Sequence, residues 1–321
     1  MVKMKVLIVK TSSMGDVLHT LPALTDAQKA LPDVRFDWVV EENFAEIPHW
    51  HCAVDKVIPV AIRRWRKQPF SAETKNQWKN YRTFLQTEQY DAVIDAQGLL
   101  KSALLVTRPA RGEKYGYSFS CAREGLAAFF YDHKFNIPYQ QHAVERIRRL
   151  FAQSLSYALP DEKGDYGIAS HFRHAAKAID NPYIMFIHAT TRADKFWINA
   201  EWTKLARLLA AKGYHIHLPW GNEREYEQAQ QIAQNIPQVK ILPKLSLSAL
   251  AEEIAQSSAV VSVDTGLAHL TAALDIPNIT LYGATDPKLI GTYGKNQHHL
   301  TKETMRAISA EEVFERFFGV V

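Results

Sequence analysis

Asp264-Thr265-Gly266 follows the apolar run 259–263 and precedes Leu267, Leu270, Thr271 and Leu274 at helical spacing. A short β-branched run ending in a carboxylate and a glycine reads as a strand buried on both faces that restarts as a helix. The first N–H groups of a helix have no internal partners and carry the positive end of its dipole. This junction can therefore seat a phosphate, with Thr265, Gly266 and His269 around it. The same tripeptide is how aspartic proteases present a catalytic carboxylate, but that chemistry needs a second carboxylate at a similar turn. Asp-Thr-Gly occurs once here and opens a helix. Asp264 taken singly also reads as a helix cap, so the neighbouring turns must decide.

Three of them carry chemistry. After the apolar stretch 5–10 comes Thr11-Ser12-Ser13-Met14-Gly15-Asp16, a small-residue turn that delivers a carboxylate to a helix start. It is neither a Walker A loop nor Gly-x-Gly-x-x-Gly, and Asp16 reads equally as a cap or as a base projecting into a cleft. After 183–188, residues 189–197 supply the hydroxyls of Thr190 and Thr191 and the cations Arg192 and Lys195, suited to a diphosphate or to an ordinary solvated loop. After 214–218, Glu225 is placed to take the two hydroxyls of a ribose or to favour a helix N-terminus. Hydroxyls, Lys195, a helix start and an acid converging on one edge make a nucleotide-diphosphate pocket.

The elements that position these turns alternate. Strands at 5–10, 36–40, 56–60 and 91–96 are interleaved with helices at 17–30 and 81–88, and the pattern restarts with strands at 183–188, 214–218, 238–242 and 259–263. Helices at 201–211, 223–235 and 248–256 separate the second set. Such alternation predicts two doubly wound parallel sheets, in which ligands bind beyond the carboxyl ends of the strands. The Pro-, Gly- and acid-rich stretch 159–167 reads as a linker before a polar helical piece at 170–180, which puts the boundary near 165–180. Ser309 to Glu312 reads as a capping box opening a last helix with Val313, Phe314, Phe317 and Phe318 on its apolar side.

The 321 residues, 47% hydrophobic and 22% charged, suffice for two domains with real cores. No apolar run approaches the roughly 18 residues of a membrane span. The run 6–9 is also short for a signal-peptide core, so cytoplasmic residence is expected. Cys52 and Cys121 read as free thiols. With no His-Glu-x-x-His, and with His298-His299 read as exposed loop, no metal is expected. The first 165 residues hold 23 Lys and Arg against 19 Asp and Glu, so the chain totals of 38 and 34 leave 15 of each beyond them. The densest cationic point is Arg63-Arg64-Trp65-Arg66-Lys67, suited to phosphates, carboxylates, nucleic acid or an anionic membrane face, or simply to solvent. The small excess and the lack of any helix-turn-helix, zinc-finger or RNP pattern argue against nucleic acid.

Residues 6–19, Asp95-Ala96-Gln97-Gly98-Leu99, Gln141-His142-Ala143-Val144-Glu145-Arg146 and 263–271 resemble, nearly end to end, the heptosyltransferases that build the lipopolysaccharide inner core. The Thr-Ser-Ser-Met-Gly-Asp start resembles type I more than type II. The resemblance implies a glycosyltransferase-B fold of two facing Rossmann-like domains. Residues 1–168 would bind the acceptor, residues 169–321 would bind the donor, and the last helix would cross back to the first domain. It implies ADP-L-glycero-β-D-manno-heptose as donor, Kdo2-lipid A as acceptor, inversion, no metal and no cofactor. It also implies peripheral residence on the cytoplasmic face of the inner membrane. On that reading Asp16 is the general base. Thr190, Thr191, Lys195, Thr265, Gly266 and His269 face the diphosphate, and Glu225 holds the ribose. Asp264, repelled by phosphate, caps the helix or binds heptose hydroxyls. Arg63, Arg64, Arg66, Lys67, Lys101, Arg123, His142 and Arg146 are the candidates for Kdo carboxylates and lipid A phosphates. A heptosyltransferase of other acceptor specificity and a non-catalytic nucleotide-sugar module stay open.

Overall fold

Val6, Leu7, Ile8 and Val9 expose no surface, as a β-branched run covered on both faces requires. They lie in β1 (Lys5–Val9), which a computed structural model describing residues 4–172, 182–283 and 285–319 places at the centre of a six-stranded sheet. Its other strands are β2 (Arg35–Glu41), β3 (Val54–Val60), β4 (Gln89–Asp95), β5 (Arg111–Tyr117) and β6 (His133–Phe135). They run parallel in the order β3-β2-β1-β4-β5-β6. The second sheet repeats the plan with β7 (Tyr183–Ile187), β8 (His215–Leu218), β9 (Val239–Ile241), β10 (Ala259–Val263), β11 (Asn278–Tyr282) and β12 (Gln297–Thr301). Its order is β12-β11-β10-β7-β8-β9, again parallel. The chain divides into units Met1–Gly167 and Ile168–Val321, one sheet in each.

Each sheet changes winding direction once, between β1 and β4 in the first and between β7 and β10 in the second. At such a point the loops leaving adjacent strands diverge to opposite faces and open a crevice at the carboxyl edge. The sequence places Asp16 and Gln97 after β1 and β4, and Lys195 and Asp264 after β7 and β10. Topology alone thus brings each pair of turns together.

Three readings need correction. The single helix expected at 17–30 is two, Met14–Leu18 and Leu21–Ala30. Pro22 has no N–H to continue the ladder, and the Thr20 hydroxyl donates to the Asp16 carbonyl at 3.0 Å instead. The basic run is partly helical, Ile62–Trp65, and its indole is core: Trp65 packs on Trp78 and Tyr81. His298 and His299 lie in β12, where the His299 ring meets the Thr292 hydroxyl at 2.9 Å. The terminal helix Ala310–Phe317 buries Val313 and Phe317 in the second unit's core beside Trp202 and Leu209. That position satisfies its apolar face locally, and Ser309 caps it through the Glu312 N–H at 3.2 Å, as the capping box predicts. Of the polar piece expected at 170–180, residues 173–180 lie outside the described residues.

Trp197 closes the loop that carries Lys195. It is fully buried, stacks edge-on against Trp202 at 4.8 Å, and donates from Nε1 to the Ile308 carbonyl at 2.9 Å. Trp197→Phe should cost about 1–3 kcal/mol for the orphaned carbonyl. A urea midpoint equal to the parent's would show that this bond does not anchor the loop.

Candidate functional site

In the first unit the carboxyl edge is organised around the loop after β1. Gln97 Oε1 accepts from the backbone N–H of Thr11 at 2.9 Å and of Ser12 at 3.2 Å, and from the Thr11 hydroxyl at 3.4 Å. The loop bearing Gln97 is itself held by buried Asp95, whose Oδ1 accepts from the N–H groups of Gln97 at 2.9 Å and Gly98 at 3.0 Å. Thr107 and Ser102 donate their hydroxyls to the Asp95 carboxylate. Gly98 sits at φ 64, a conformation that glycine adopts without strain. Buried Lys10 completes the clamp by donating to the Ala96 carbonyl at 2.9 Å.

This clamp presents Asp16. Its Oδ2 accepts from the Ser13 N–H at 2.9 Å and hydroxyl at 3.0 Å, so the cap reading has substance. Its Oδ1 lies 3.7 Å from Lys10 Nζ, and the side chain keeps about a third of its surface in solvent, 32%. Burial pushes its pKa up, but the Lys10 charge, both Ser13 hydrogen bonds and the more distant Arg123 outweigh that and hold the carboxyl below its ordinary value. Asp16 is therefore an ionised, accessible proton acceptor. Burial lowers the Lys10 ammonium pKa against the pull of Asp16 and Asp95. Lys10, Asp95 and Gln97 lie in strings that carry the resemblance but were given no role there, since only the strand order puts 95–97 beside 10–12.

The cations expected to meet the acceptor lie on the same carboxyl edge. Arg63, Arg64, Arg66 and Lys67 follow β3, Lys101 follows β4 and Arg123 follows β5. His142 and Arg146 begin the helix Ala143–Leu155. Arg64 is already committed, to Glu42 and Glu73 at 3.1 Å each; Arg63 lies over the Phe44 ring at 5.8 Å, and Arg66, Lys67 and Arg123 are exposed. Arg146 lies over the rings of Tyr139 at 4.3 Å and Tyr117 at 4.8 Å and donates to the Cys121 carbonyl at 2.7 Å. His142 caps its helix through the Val144 N–H at 3.2 Å. On the reading of Asp16 as general base, Gln97→Met should lower turnover about a hundredfold, because it removes the side-chain oxygen that holds the Thr11–Ser12 backbone of the Asp16 loop. Nucleotide affinity, which the sequence reading assigns to residues 169–321, should stay unchanged; parent-like turnover would show that the loop stands without the clamp.

In the second unit the switch point holds a buried ion pair. Lys195 Nζ lies 2.5 Å from Asp264 Oδ2, with side chains 16% and 6% exposed. Asp264 therefore does not cap the helix Gly266–Ala273: the N-cap is Thr265, whose side chain makes no capping hydrogen bond. A carboxylate this deep needs a counter-charge more than the helix needs a cap. An ammonium has three N–H groups, so Lys195 can hold Asp264 and still donate to a phosphate. Gly266 opens the helix, and His269 is buried one turn on. Thr190 and Thr191 follow β7. The Thr190 hydroxyl accepts from the Arg192 N–H at 3.5 Å, Thr191 is exposed, and Arg192 turns to Asp194.

Glu225 follows β8, the neighbour of β7. Its carboxylate accepts from the Gly221 N–H at 2.7 Å and from Asn222 Nδ2 at 2.7 Å, the reciprocal half of an Asn222 cap. Each oxygen keeps a lone pair for a further donor. His188, held neutral by burial, sits against the Glu225 carbonyl at 3.3 Å. No cluster of three His, Cys, Asp or Glu side chains suited to a metal occurs among the described residues. Nor is any helix among them long and apolar enough to cross a membrane.

Comparison with known proteins agrees with this geometry. Residues 78–315 match the model of glycosyltransferase family 9 (heptosyltransferase). The chain is 58% identical over 315 residues to lipopolysaccharide heptosyltransferase 1 of Escherichia coli (strain K12), covering 98% of this chain and 99% of that one. The solved structure of the E. coli heptosyltransferase WaaC with ADP superposes with a TM-score of 0.96 at 56% identity, covering 99% of this chain and all of that one. The WaaC structure with ADP-2-deoxy-2-fluoro heptose gives 0.93 at 56% identity, over 98% of this chain and 99% of that one.

Proposed function

Because the chain belongs to glycosyltransferase family 9 and is a heptosyltransferase of lipopolysaccharide core biosynthesis, we propose that it moves L-glycero-D-manno-heptose from ADP-L-glycero-β-D-manno-heptose to the Kdo of Kdo2-lipid A. The observation that carries the mechanism is Asp16, ionised and accessible at the switch point of the first sheet. In the proposed step a Kdo hydroxyl oxygen bonds to the anomeric carbon and its proton passes to Asp16. The bond from that carbon to the β-phosphate oxygen breaks, and its electron pair leaves with ADP. One displacement from the opposite face inverts the centre.

Leaving-group charge grows as the bond breaks, so preset donors accelerate the step more than they tighten the ground state. Lys195, the Thr190 and Thr191 hydroxyls, the Thr265–Gly266 amides and His269 fill that role without a metal or other cofactor. Asp264 holds Lys195 and keeps a share of its surface for heptose hydroxyls, and Glu225 takes the ribose. Arg63, Arg66, Lys67, Lys101, Arg123, His142 and Arg146 receive Kdo carboxylates and lipid phosphates at the cytoplasmic face of the inner membrane. Arg64, shared between two glutamates, shapes the loop.

The acceptor is the part to test. ADP release from ADP-heptose should occur with Kdo2-lipid A, fail with a core that already carries its heptose, and survive EDTA. Release with the heptosylated core alone would replace the acceptor, and loss of release in EDTA that added divalent metal restores would replace the metal-free mechanism.

A further inference from the structure

Four large apolar side chains stand in solvent on loops of the first unit: Phe70 is 85% exposed, Phe119 60%, Leu126 53% and Phe129 72%. Phe70 ends the basic loop after β3. Trp65, buried with its Nε1 donating to Gln77 at 2.8 Å, anchors that loop from beneath, so the aromatic offered outward is Phe70. Leu126 and Phe129 lie three apart in the 3₁₀ turn Gly125–Phe130, where positions i and i+3 eclipse on one face. Ala127 and Ala128 occupy the inner face against Ala103 and Tyr131. The Phe119 ring meets Phe129 edge-on at 6.2 Å, which makes the second tip a cluster and not a stray side chain.

Both tips leave carboxyl ends of parallel strands, β3 and β5, so they share the edge that carries Asp16 after β1. The strand order puts β1 midway between β3 and β5, whose ends lie four strand spacings, roughly 19 Å, apart. Each tip has exposed cations within a few residues, Arg66 and Lys67 at the first and Arg123 at the second. At the first tip Glu42 and Glu73 hold Arg64, and at the second the Glu124 carboxylate accepts from the Leu100 N–H at 2.6 Å and keeps its charge beside Arg123. Apolar tips flanked by exposed cations match a bilayer surface, whose headgroup phosphates meet the cations while the rings seat at the acyl boundary. A second copy fits less well, since like charge would face like charge and a few side chains fall short of the roughly 800 Å² per partner that a stable interface buries.

We propose that this edge docks on an anionic lipid bilayer, with Phe70 on one side of Asp16 and the Phe119–Leu126–Phe129 cluster on the other entering the headgroup layer. The proposal rests on the reading of the acceptor as lipid-linked, and it is tested without that acceptor. The full chain is sedimented with vesicles of phosphatidylglycerol and phosphatidylcholine and with vesicles of phosphatidylcholine alone. Binding should require phosphatidylglycerol and weaken with salt. It should fall about tenfold in Phe70→Ala or Phe129→Ala and about a hundredfold in the double variant. Both variants should keep parent turnover on a deacylated, water-soluble Kdo acceptor.

Equal binding to both vesicle types, or variants that bind like the parent, would overturn the proposal. So would a concentration-dependent dimer that Phe129→Ala dissolves, since a second copy would then cover the patch. Failure of the parent itself to turn over the soluble acceptor, with vesicle binding intact, would instead remove the acceptor assignment and leave the docking edge standing.

Discussion

Asp16→Ala is expected to lower kcat about a thousandfold while ADP and donor affinity stay at the parent level, a loss within the range for removing a positioned general base. Asp16→Asn is the sharper variant. Its amide oxygen can still accept from Ser13, so the loop keeps its cap, but the group can no longer take a proton. If Asp16→Asn turned over like the parent, the carboxylate would be structural and the base would lie elsewhere. The pH profile gives a second check. The Asp16 pKa lies below its ordinary value of 3.8, because Lys10 and Ser13 favour the charged form over the cost of burial. The group is therefore ionised across neutral pH, and the acid limb of kcat/KM assigned to it falls below the ordinary carboxylate range. The same depression contributes stability at pH values above the unfolded carboxylate's pKa, lost as pH falls through the folded one.

Lys195→Met should act twice. It removes the cation proposed to meet the leaving diphosphate, worth about 10²- to 10³-fold in kcat. It also leaves Asp264, a carboxylate with 6% of its side chain exposed, without a counter-charge, which costs roughly 3–5 kcal/mol of stability. Adding Asp264→Asn separates the two effects, since the neutral amide needs no partner ion. The double variant should regain most of the stability and little of the turnover. Recovery of both would mean that Lys195 serves only to neutralise Asp264, and the diphosphate role would fall to Thr190, Thr191 and the helix start.

Strands were legible in sequence where an apolar run marks them, the edge strands β3 and β9 included, while β11, buried throughout, was not read. β1, β7 and β10 are apolar and β-branched, and 259–263 was read to the residue. β5, with Arg111, Glu113 and Lys114, and β12, with Gln297 and two histidines, carry no such pattern, because edge and near-edge positions tolerate polar side chains. The chemical turns were legible for a related reason. Loops after parallel strands hold small and polar residues that no core demands, so Thr11 to Asp16, Thr190 to Lys195 and 264–266 stood out. What each side chain does there was less legible. Asp264 read as a cap or as a ligand of heptose hydroxyls, and it pairs with Lys195, 69 positions away in sequence, while Arg64 read as open to a ligand and Glu42 and Glu73 hold it.

The sequence by itself determined the alternation of strands and helices, the turns that bear Asp16 and Lys195, and the resemblance to heptosyltransferases, since periodicity and local strings are properties of contiguous residues. Only the tertiary structure decided that Gln97 and Lys10 clamp the Asp16 loop, that the last helix packs Val313 and Phe317 into the second unit's core, and that β1, which Asp16 follows, lies between β3 and β5. Those facts depend on strand order. β1 lies beside β4 and β7 beside β10 because the crossovers reverse there, and no pattern along the chain records which strands become neighbours.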